Sequence, residues 1–482
     1  MQASSVPDCQ AVAHDGDAPL VRTLVSIPQR LLALPNHNGS HVLLCDVQYD
    51  ALASRETITN KIKSIHTGGF HMLPLVQHLI SPLWLQDSIL LWATVHDNDT
   101  TSIWCLDASD PVQSYREVGR VAHVISKFEA QTLSDGRFTL VFASSVQSAA
   151  QNDGTNGRGK GSGRLYHSYP VRSSKSYLPD HRDAPGIYCT VLAREQGVFR
   201  LSECEPVDVL EDLGLDFSTW PGHADFTVGP RGLLLSTARH PRQRCRPPML
   251  PAIELHYLEV DWNTMSRAAS SRRLGWGTWC GVPHSFSFSK DGYYTMFLQS
   301  ERSDTCFDHE SIFIIHLSHP GRARQLVLSQ ALGATDVQPW FPRILSVHWS
   351  SSCSNIAYVI VDEAGVMAVW KIQVLPAADT KHLTGLVTPV ANQGSTSFLA
   401  SVGSSSPSPE QLLVLRTEFS RAGIVEIIPV GIDTPPNPHL IDEHSIPAAH
   451  AAVPEEVSYS GAGGMSVQAF IHKPRDFLEH RR

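Results

Sequence analysis

A unit of short β-strand patterns recurs along this 482-residue chain at intervals of about 50 to 60 residues. In residues 283–301, PHSFSFSKDGYYTMFLQSE, apolar and polar residues alternate on both sides of Lys290-Asp291-Gly292. That pattern predicts a β-hairpin, because Asp and Gly favour tight turns. Comparable units lie near positions 30, 82, 132, 226, 347 and 398. Since one short sheet cannot bury both of its faces, these units must pack against one another.

The repeat predicts an all-β fold, a β-propeller of about seven blades over residues 25–447. Residues 1–24 form an N-terminal tail, and residues 448–482 form a linker and a final strand. Two consecutive β-sandwiches are the alternative fold. Residues 151–170, rich in Gly, Asn and Ser, predict a long exposed loop between strands. The strands carry four tryptophans that we expect in the core between blades: Trp84, Trp104, Trp349 and Trp370.

The composition is that of a globular protein, with 42% hydrophobic and 18% charged residues. The net charge is −9 and there is no long basic run, so neither nucleic acid nor a membrane is expected as a partner. The first twenty residues do not resemble a signal peptide, which predicts a cytoplasmic protein; a secreted protein is the alternative if the true N-terminus differs. The nine cysteines include no CxxC pair and favour free thiols, with one or two disulfides as the alternative.

No motif for a catalytic nucleophile, a nucleotide phosphate or a metal ion is found, so no catalytic residue, metal or cofactor is assigned. One segment with substrate-binding potential is the acidic loop after the hairpin at 283–301. Its carboxylates could meet the positively charged N-terminus of a peptide, and a solvated loop is the alternative reading. These candidates are Glu301, Asp304, Asp308 and Glu310. Arg164 and Arg172, which flank an aromatic segment, fit structural pairing better than substrate contact.

The segment PEEVSYSGAGGMSVQAFIHKPRDF, after the repeats, resembles the prolyl oligopeptidase family of serine peptidases. In that family a propeller is followed by the pattern G-x-x-V-x-G-x-x-x-K-P-x-x-F, the first strand of an α/β-hydrolase domain. Residues that carry the resemblance are Gly464, Val467, Gln468, Phe470, Lys473, Pro474 and Phe477. The order of several further stretches across roughly 30–478 is most similar to the fungal dipeptidyl-peptidase V group. The chain departs from the usual Ser-Pro-Asp-Gly blade turn, most of all in SSSCS at 350–354.

The resemblance implies the propeller part of a serine-type dipeptidyl peptidase that admits peptides and excludes folded proteins. Members of the family carry the Ser, Asp and His on the hydrolase domain, so we expect that domain as a partner and peptides as substrates. The segment after the propeller is then the first strand of a truncated hydrolase domain. A non-enzymatic propeller that binds peptides or proteins is the alternative function. We also expect the strand at 465–473 to have unpaired N–H and C=O groups.

The first prediction is that the purified 482-residue chain hydrolyses neither dipeptidyl nor acyl-aminoacyl substrates, because no triad residue can be assigned in it. Turnover is measured with chromogenic substrates before and after treatment with a serine-directed phosphonate. Hydrolysis that the phosphonate blocks would contradict the prediction.

Overall fold

A computed structural model of the chain is built from β-strands and turns. It describes residues 28–50, 55–73, 79–96, 100–145, 186–211, 213, 226–238, 253–267, 272–274, 283–300, 310–317, 324–330, 344–363, 366–375, 382–391, 394–402, 410–418, 421–430, 438–445, 455–461, 464 and 466–471. Within these residues the strands form seven consecutive antiparallel units, or blades. No helix in this part of the chain is long and apolar enough to cross a membrane.

The first three blades are built in chain order. Blade 1 contains β1 (Gln29–Pro35), β2 (His41–Asp50), β3 (Arg55–Ser64) and β4 (Phe70–Met72). Blade 2 contains β5 (Ile80–Trp84), β6 (Ile89–Val95), β7 (Thr101–Asp107) and β8 (Arg116–Val121). Blade 3 contains β9 (Val124–Thr132), β10 (Phe138–Ser145), β11 (Gly186–Glu195), β12 (Val198–Leu201) and β13 (Val207–Asp208).

The remaining four blades follow the same order. Blade 4 contains β14 (Phe226–Gly229), β15 (Gly232–Ala238), β16 (Ile253–Asp261), β17 (Ser266–Arg267) and β18 (Arg272–Leu274). Blade 5 contains β19 (Pro283–Phe288), β20 (Tyr294–Ser300), β21 (Glu310–His316) and β22 (Arg324–Gln330). Blade 6 contains β23 (Ile344–Trp349), β24 (Ile356–Glu363), β25 (Val366–Leu375) and β26 (His382–Ala391). Blade 7 contains β27 (Ser395–Val402), β28 (Gln411–Thr417), β29 (Arg421–Pro429) and β30 (His439–Ser445).

Seven clusters of buried apolar side chains among the described residues hold the blades together, and each lies between two neighbouring blades. Leu43 of blade 1, for example, shares a cluster with Trp84 and Trp92 of blade 2. Another cluster joins the two ends of the repeat, because it combines Leu44 of blade 1 with Val425 of blade 7. The apolar faces are therefore buried around a closed ring, which confirms the propeller and excludes two sandwiches.

The strand tryptophans largely occupy the core positions expected of them. Trp84, Trp349 and Trp370 are only 6%, 6% and 7% exposed. Trp104 is half-buried and stacks on Tyr115 with ring centroids 5.1 Å apart. The prediction is confirmed: three of the tryptophans are buried, and Trp104 packs at the margin of the cluster between blades 1 and 2.

The Asp-Gly turn predicted between the strands of blade 5 is present. Gly292 has a φ of +69°, a conformation that other residues rarely adopt. The Ser289 hydroxyl donates to Asp291 at 2.6 Å, and the Tyr293 amide donates to the same carboxylate at 3.0 Å. These local bonds set the turn and hence the register of β19 against β20.

Blades 5 and 6 are joined at both their inner and their outer edges. At the outer edge β22 pairs in parallel with β26, which makes one eight-stranded sheet of the two blades. At the inner edge the Val347 amide donates to the Ser285 hydroxyl at 3.1 Å, and the Trp349 amide donates to the Ser287 hydroxyl at 2.9 Å. Their edge strands are thereby protected from pairing with other chains.

Blades 1 and 7 share no strand in the part of the chain that the structure describes, and a buried ionic cluster joins them beside their apolar contact. Arg30, whose side chain is fully buried, donates to Asp46 at 2.7 Å and to Asp442 of blade 7 at 2.6 Å. Lys61 and Lys63 of blade 1 each lie 2.9 Å from Asp442. Because several donors surround each carboxylate, the charges are both neutralised and hydrogen-bonded.

The cluster holds both of its carboxylates ionised. Burial alone would raise the pKa of Asp46, but hydrogen bonds from His444 and Arg30 outweigh it and lower the pKa to about 2. Burial likewise opposes ionisation of Asp442, and hydrogen bonds from Lys61 and Lys63 outweigh it and lower the pKa of that carboxyl. Groups with a lowered pKa in the folded state stabilise it above their unfolded pKa, and this stabilisation is lost as the pH falls through the folded value.

The second prediction concerns this closure of the ring. Asp442→Asn removes the negative charge shared by three cations and replaces one acceptor oxygen with an NH2 donor, so we expect a loss of about 3 kcal/mol in the free energy of unfolding at pH 7. Urea unfolding followed by tryptophan fluorescence measures it. The difference from wild type shrinks as the pH falls below about 4, the ordinary pKa of an Asp in the unfolded chain, because protonation of Asp442 then favours unfolding of the wild type only.

A matched control is Glu259→Gln, which breaks the exposed pair between Glu259 and Arg272, a contact at 3.3 Å. An exposed pair contributes less than about 1 kcal/mol, so this variant should unfold like wild type. Equal stability of the two variants at pH 7 would show that the cluster does not close the ring.

The segment after blade 7 is a two-stranded hairpin of β31 (Glu455–Ser460) and β32 (Ser466–Ile471). Glu455 is opposite Ile471, and Ser460 is opposite Ser466. The expectation of an unpaired strand at 465–473 was therefore wrong over the described residues, because the residues just before it fold back as its partner. Among the described strands, β31 and β32 pair only with each other.

Candidate functional site

The first strand of each blade lies at the centre of the ring. Neighbouring first strands contact one another in the pairs β5 and β9, β9 and β14, β14 and β19, β19 and β23, β23 and β27, and β27 and β1. The Trp84 indole of β5 donates to the Leu34 carbonyl of β1 at 3.0 Å and completes the circle. We call these seven strands the inner strands.

All inner strands begin on the same face of the ring, which we call the loop face. Because the strands of a blade are antiparallel, the connections from second to third strand lie on this face, together with those that lead to the next blade. The described strands that flank the segments 146–185, 239–252 and 301–309 end and begin on this face. The opposite face, which we call the turn face, carries tight turns such as Lys290-Asp291-Gly292. The longest connections between strands thus join strand ends on one side of the ring, where binding residues are often found.

The inner strands are irregular near the loop face. In the described residues, six of the seven inner strands have a register shift against their neighbour: β1, β5, β9, β19, β23 and β27. Ser285 at the shift in β19 has a φ of +56°. Bulges re-aim side chains and are frequent next to functional sites. The irregular ends of the inner strands therefore mark this mouth of the central channel as the candidate site.

An imidazole and a carboxylate meet at this mouth. His284 lies near the start of β19 and Glu310 is the first residue of β21, and their Nε2 and Oε1 atoms are 2.8 Å apart. The side chains keep 34% and 20% of their exposure, so both remain open to solvent. The pair offers a negative group to a ligand that enters from the loop face.

The other acidic candidates, Glu301, Asp304 and Asp308, lie outside the described residues. They belong to the segment 301–309 of the sequence, between β20, which ends on the loop face, and β21, which begins there. Arg164 and Arg172 lie outside the described residues too, within the segment 146–185.

A second charged pair on the inner strands is hydrogen-bonded to the neighbouring blade. Lys127 of β9 lies 3.1 Å from Glu129 and donates to the Phe226 carbonyl of β14 at 2.6 Å. Glu129 accepts hydrogen bonds from the Val228 amide at 2.7 Å and from the Thr227 hydroxyl at 3.2 Å. This pair therefore holds blade 3 against blade 4, and we do not assign it to a ligand site.

Deeper along the inner strands lies a neutral histidine. His348 of β23 has its Nε2 atom 3.2 Å from the Ser346 hydroxyl. The dense protein around it lowers its pKa to about 4, since burial disfavours the charged ring. At neutral pH it adds hydrogen-bonding capacity but no charge. Within the described part of the chain, no group of His, Cys, Asp or Glu is arranged to hold a metal ion.

The sequence did not single out His284, His348 or the Lys127–Glu129 pair. No residue spacing links His284 to Glu310, because their contact depends on two strands of one blade coming together. The motif residues fall in the last hairpin: Gly464, with a φ of +79°, precedes β32, which holds Val467 and Phe470. Lys473 and Pro474 lie outside the described residues.

The fold defines the class of the chain: a seven-bladed β-propeller with a polar channel mouth on its loop face. No protein-family model matches the chain. In sequence it is similar to a probable dipeptidyl-peptidase 5 of Aspergillus flavus and to the dipeptidyl-peptidase 5 of Aspergillus oryzae. Each is 24% identical over 222 residues, which is 43% of this chain and 30% of the fungal protein.

Solved structures share the fold over nearly the whole chain. An acylaminoacyl peptidase of Pyrococcus horikoshii has a TM-score of 0.56 at 9% identity, covering 93% of this chain and 58% of its own. A puromycin-hydrolyzing peptidase of Mycobacterium tuberculosis has a TM-score of 0.52 at 11% identity, covering 93% and 59%. The chain thus spans little more than half the length of these proteins. It is a propeller that resembles the N-terminal part of peptidases of the prolyl oligopeptidase family.

Proposed function

We propose that this chain is the propeller part of a serine-type dipeptidyl peptidase and that its loop face selects peptides for an α/β-hydrolase domain. The observation that carries the proposal is the convergence of three features on one face. The bulged starts of the inner strands, the His284–Glu310 pair and the exit of the chain from blade 7 all lie there.

The direction of the strands supports this arrangement. β30 is the fourth strand of blade 7 and ends on the loop face, and the hairpin of β31 and β32 follows it. A hydrolase domain joined through this hairpin would be tethered to the loop face. Its Ser, His and Asp would then open onto the mouth of the channel, where acyl transfer from a peptide to Ser can proceed apart from bulk solvent.

Charge at the mouth supports a preference for peptide N-termini. A dipeptidyl peptidase must hold the free ammonium group of its substrate at a fixed distance from the scissile bond. Glu310 is a half-buried carboxylate at the mouth, and the sequence places Glu301, Asp304 and Asp308 in the segment before it. In the proposal these acids favour a cationic N-terminus over an acylated one.

The third prediction tests the peptidase assignment on the protein in its native cells. An antibody against the propeller captures the native protein, which is then treated with a fluorophosphonate label. We expect the label on the captured polypeptide itself or on a protein captured with it. We also expect the captured material to release dipeptides from peptide substrates. Capture of a 53.0 kDa protein with no labelled partner would overturn the proposal and favour a scaffold that only binds.

The fourth prediction tests the role of Glu310. Glu310→Gln should weaken binding of a peptide with a free N-terminus about fivefold, while the N-acetylated peptide binds the variant and the wild type equally. Isothermal titration with the purified chain measures both.

Glu195→Gln is the matched control, because Glu195 is an exposed carboxylate that ends β11 on the turn face. It should leave both affinities unchanged. An equal loss for the free and acetylated peptides in the Glu310 variant would show that the carboxylate does not read the N-terminus.

A further inference from the structure

A cavity of about 200 Å³ lies between blades 2 and 3, on the turn face. Its walls come from the outer strands and their turns. Blade 2 contributes Cys105, Asp107, Asp110 and Arg116, and blade 3 contributes Arg194 and Phe199. Asp107 ends β7, Arg116 begins β8, and Arg194 lies near the end of β11, which places the cavity at the opposite side of the ring from the channel mouth described above.

Two guanidinium groups line this cavity. The Nε atom of Arg116 is buried and has no hydrogen-bond partner among the described residues. Arg194 is exposed, donates from its own Nε to the Gly197 carbonyl at 3.3 Å, and lies 5.6 Å from the centre of the Phe199 ring. The Arg116 guanidinium also contacts the Cys105 thiol, but its Nε–H has no acceptor among the described residues. A buried N–H without an acceptor is costly, so an acceptor from a ligand would be favoured here.

The thiol in the wall cannot serve as the missing counter-charge. Cys105 is 1% exposed, and burial raises its pKa to about 11, so it stays neutral at physiological pH. It therefore forms a neutral part of the wall in contact with Arg116, and Ile89 and Phe199 form the apolar part.

The carboxylates of the cavity are engaged with their own turn. Asp107 accepts hydrogen bonds from the amide and the hydroxyl of Ser109, at 2.9 and 2.6 Å. Burial would raise the pKa of Asp107, but these bonds outweigh it and lower the pKa, which keeps the group ionised. Asp110 accepts from the Gln113 amide at 3.4 Å. Both acids still face the same cavity as the two arginines.

The cavity thus presents two positive groups, two negative groups and an apolar wall. A phosphate dianion would meet the carboxylates as well as the arginines and would gain little. A molecule with both a carboxylate and an ammonium group can satisfy both sets at once. The apolar wall adds room for an aliphatic side chain.

We propose that this cavity binds a free α-amino acid with an apolar side chain, held through its carboxylate by Arg116 and Arg194 and through its ammonium group by Asp107 and Asp110. The ligand would bridge blades 2 and 3 and would stabilise their contact by binding only the folded state. The site is independent of the peptidase assignment, since it uses neither the loop face nor a hydrolase domain.

The test is a titration of the full chain with L-leucine, N-acetyl-L-leucine, L-leucinamide and inorganic phosphate, followed by calorimetry and by the melting temperature. L-leucine should bind in a saturable way at millimolar or lower concentration and raise the melting temperature. Removing either charge from the ligand should weaken binding about tenfold. Absence of saturable binding, or binding of L-leucinamide or phosphate as tight as that of L-leucine, would overturn the proposal.

Two arginine variants locate the site. Arg194→Gln should weaken L-leucine binding at least about fivefold, and because Arg194 is exposed this variant is expected to fold. Arg116→Gln should abolish binding. Arg200→Gln, on the neighbouring strand β12 but outside the lining of the cavity, is the matched control and should bind like wild type. Unchanged affinity in the Arg194 variant would refute the assignment whether or not the Arg116 variant folds.

Discussion

The architecture depends on the contact that closes the ring between blade 7 and blade 1. Each blade is made of consecutive strands, and among the described strands none pairs across this junction. The junction is held instead by an apolar cluster and by Arg30, whose guanidinium reaches Asp46 in its own blade and Asp442 across the gap. Each blade packs between two neighbours. A loss of the contact between blades 7 and 1 would therefore expose one apolar face of each of these two blades.

Ring closure also decides where function can lie. Because the strands of every blade run in the same order around the axis, the inner strands all start on the loop face, and the long connections gather there. The turn face receives the tight turns instead. The common strand direction thus distinguishes the loop face, which carries the His284–Glu310 pair, from the turn face, where the cavity between blades 2 and 3 lies.

Much of the fold follows from local patterns. Alternation and the Asp-Gly turn predicted the β19–β20 hairpin, and the spacing of the units predicted the seven blades, since both depend on residues near one another in the chain. The site was harder to predict. Only Glu310 of the four acidic candidates can be placed, and its partner His284 comes from the first strand of the blade while Glu310 begins the third. The turn SSSCS lacks the usual motif, yet the Ser350 hydroxyl still accepts from the Cys353 amide at 2.9 Å and bonds to Glu410 of the next blade.

The sequence by itself determined the strands, their turns and the number of repeating sheets, because these depend on the period of apolar residues and on backbone preferences. Only the tertiary structure decided which charges are neutralised and which are open to a ligand. Arg30 and Asp442 are more than four hundred positions apart, and Arg116 and Arg194 belong to different blades. Such residues come together only when blades pack against one another, and no local sequence pattern indicates which distant residues will be brought together.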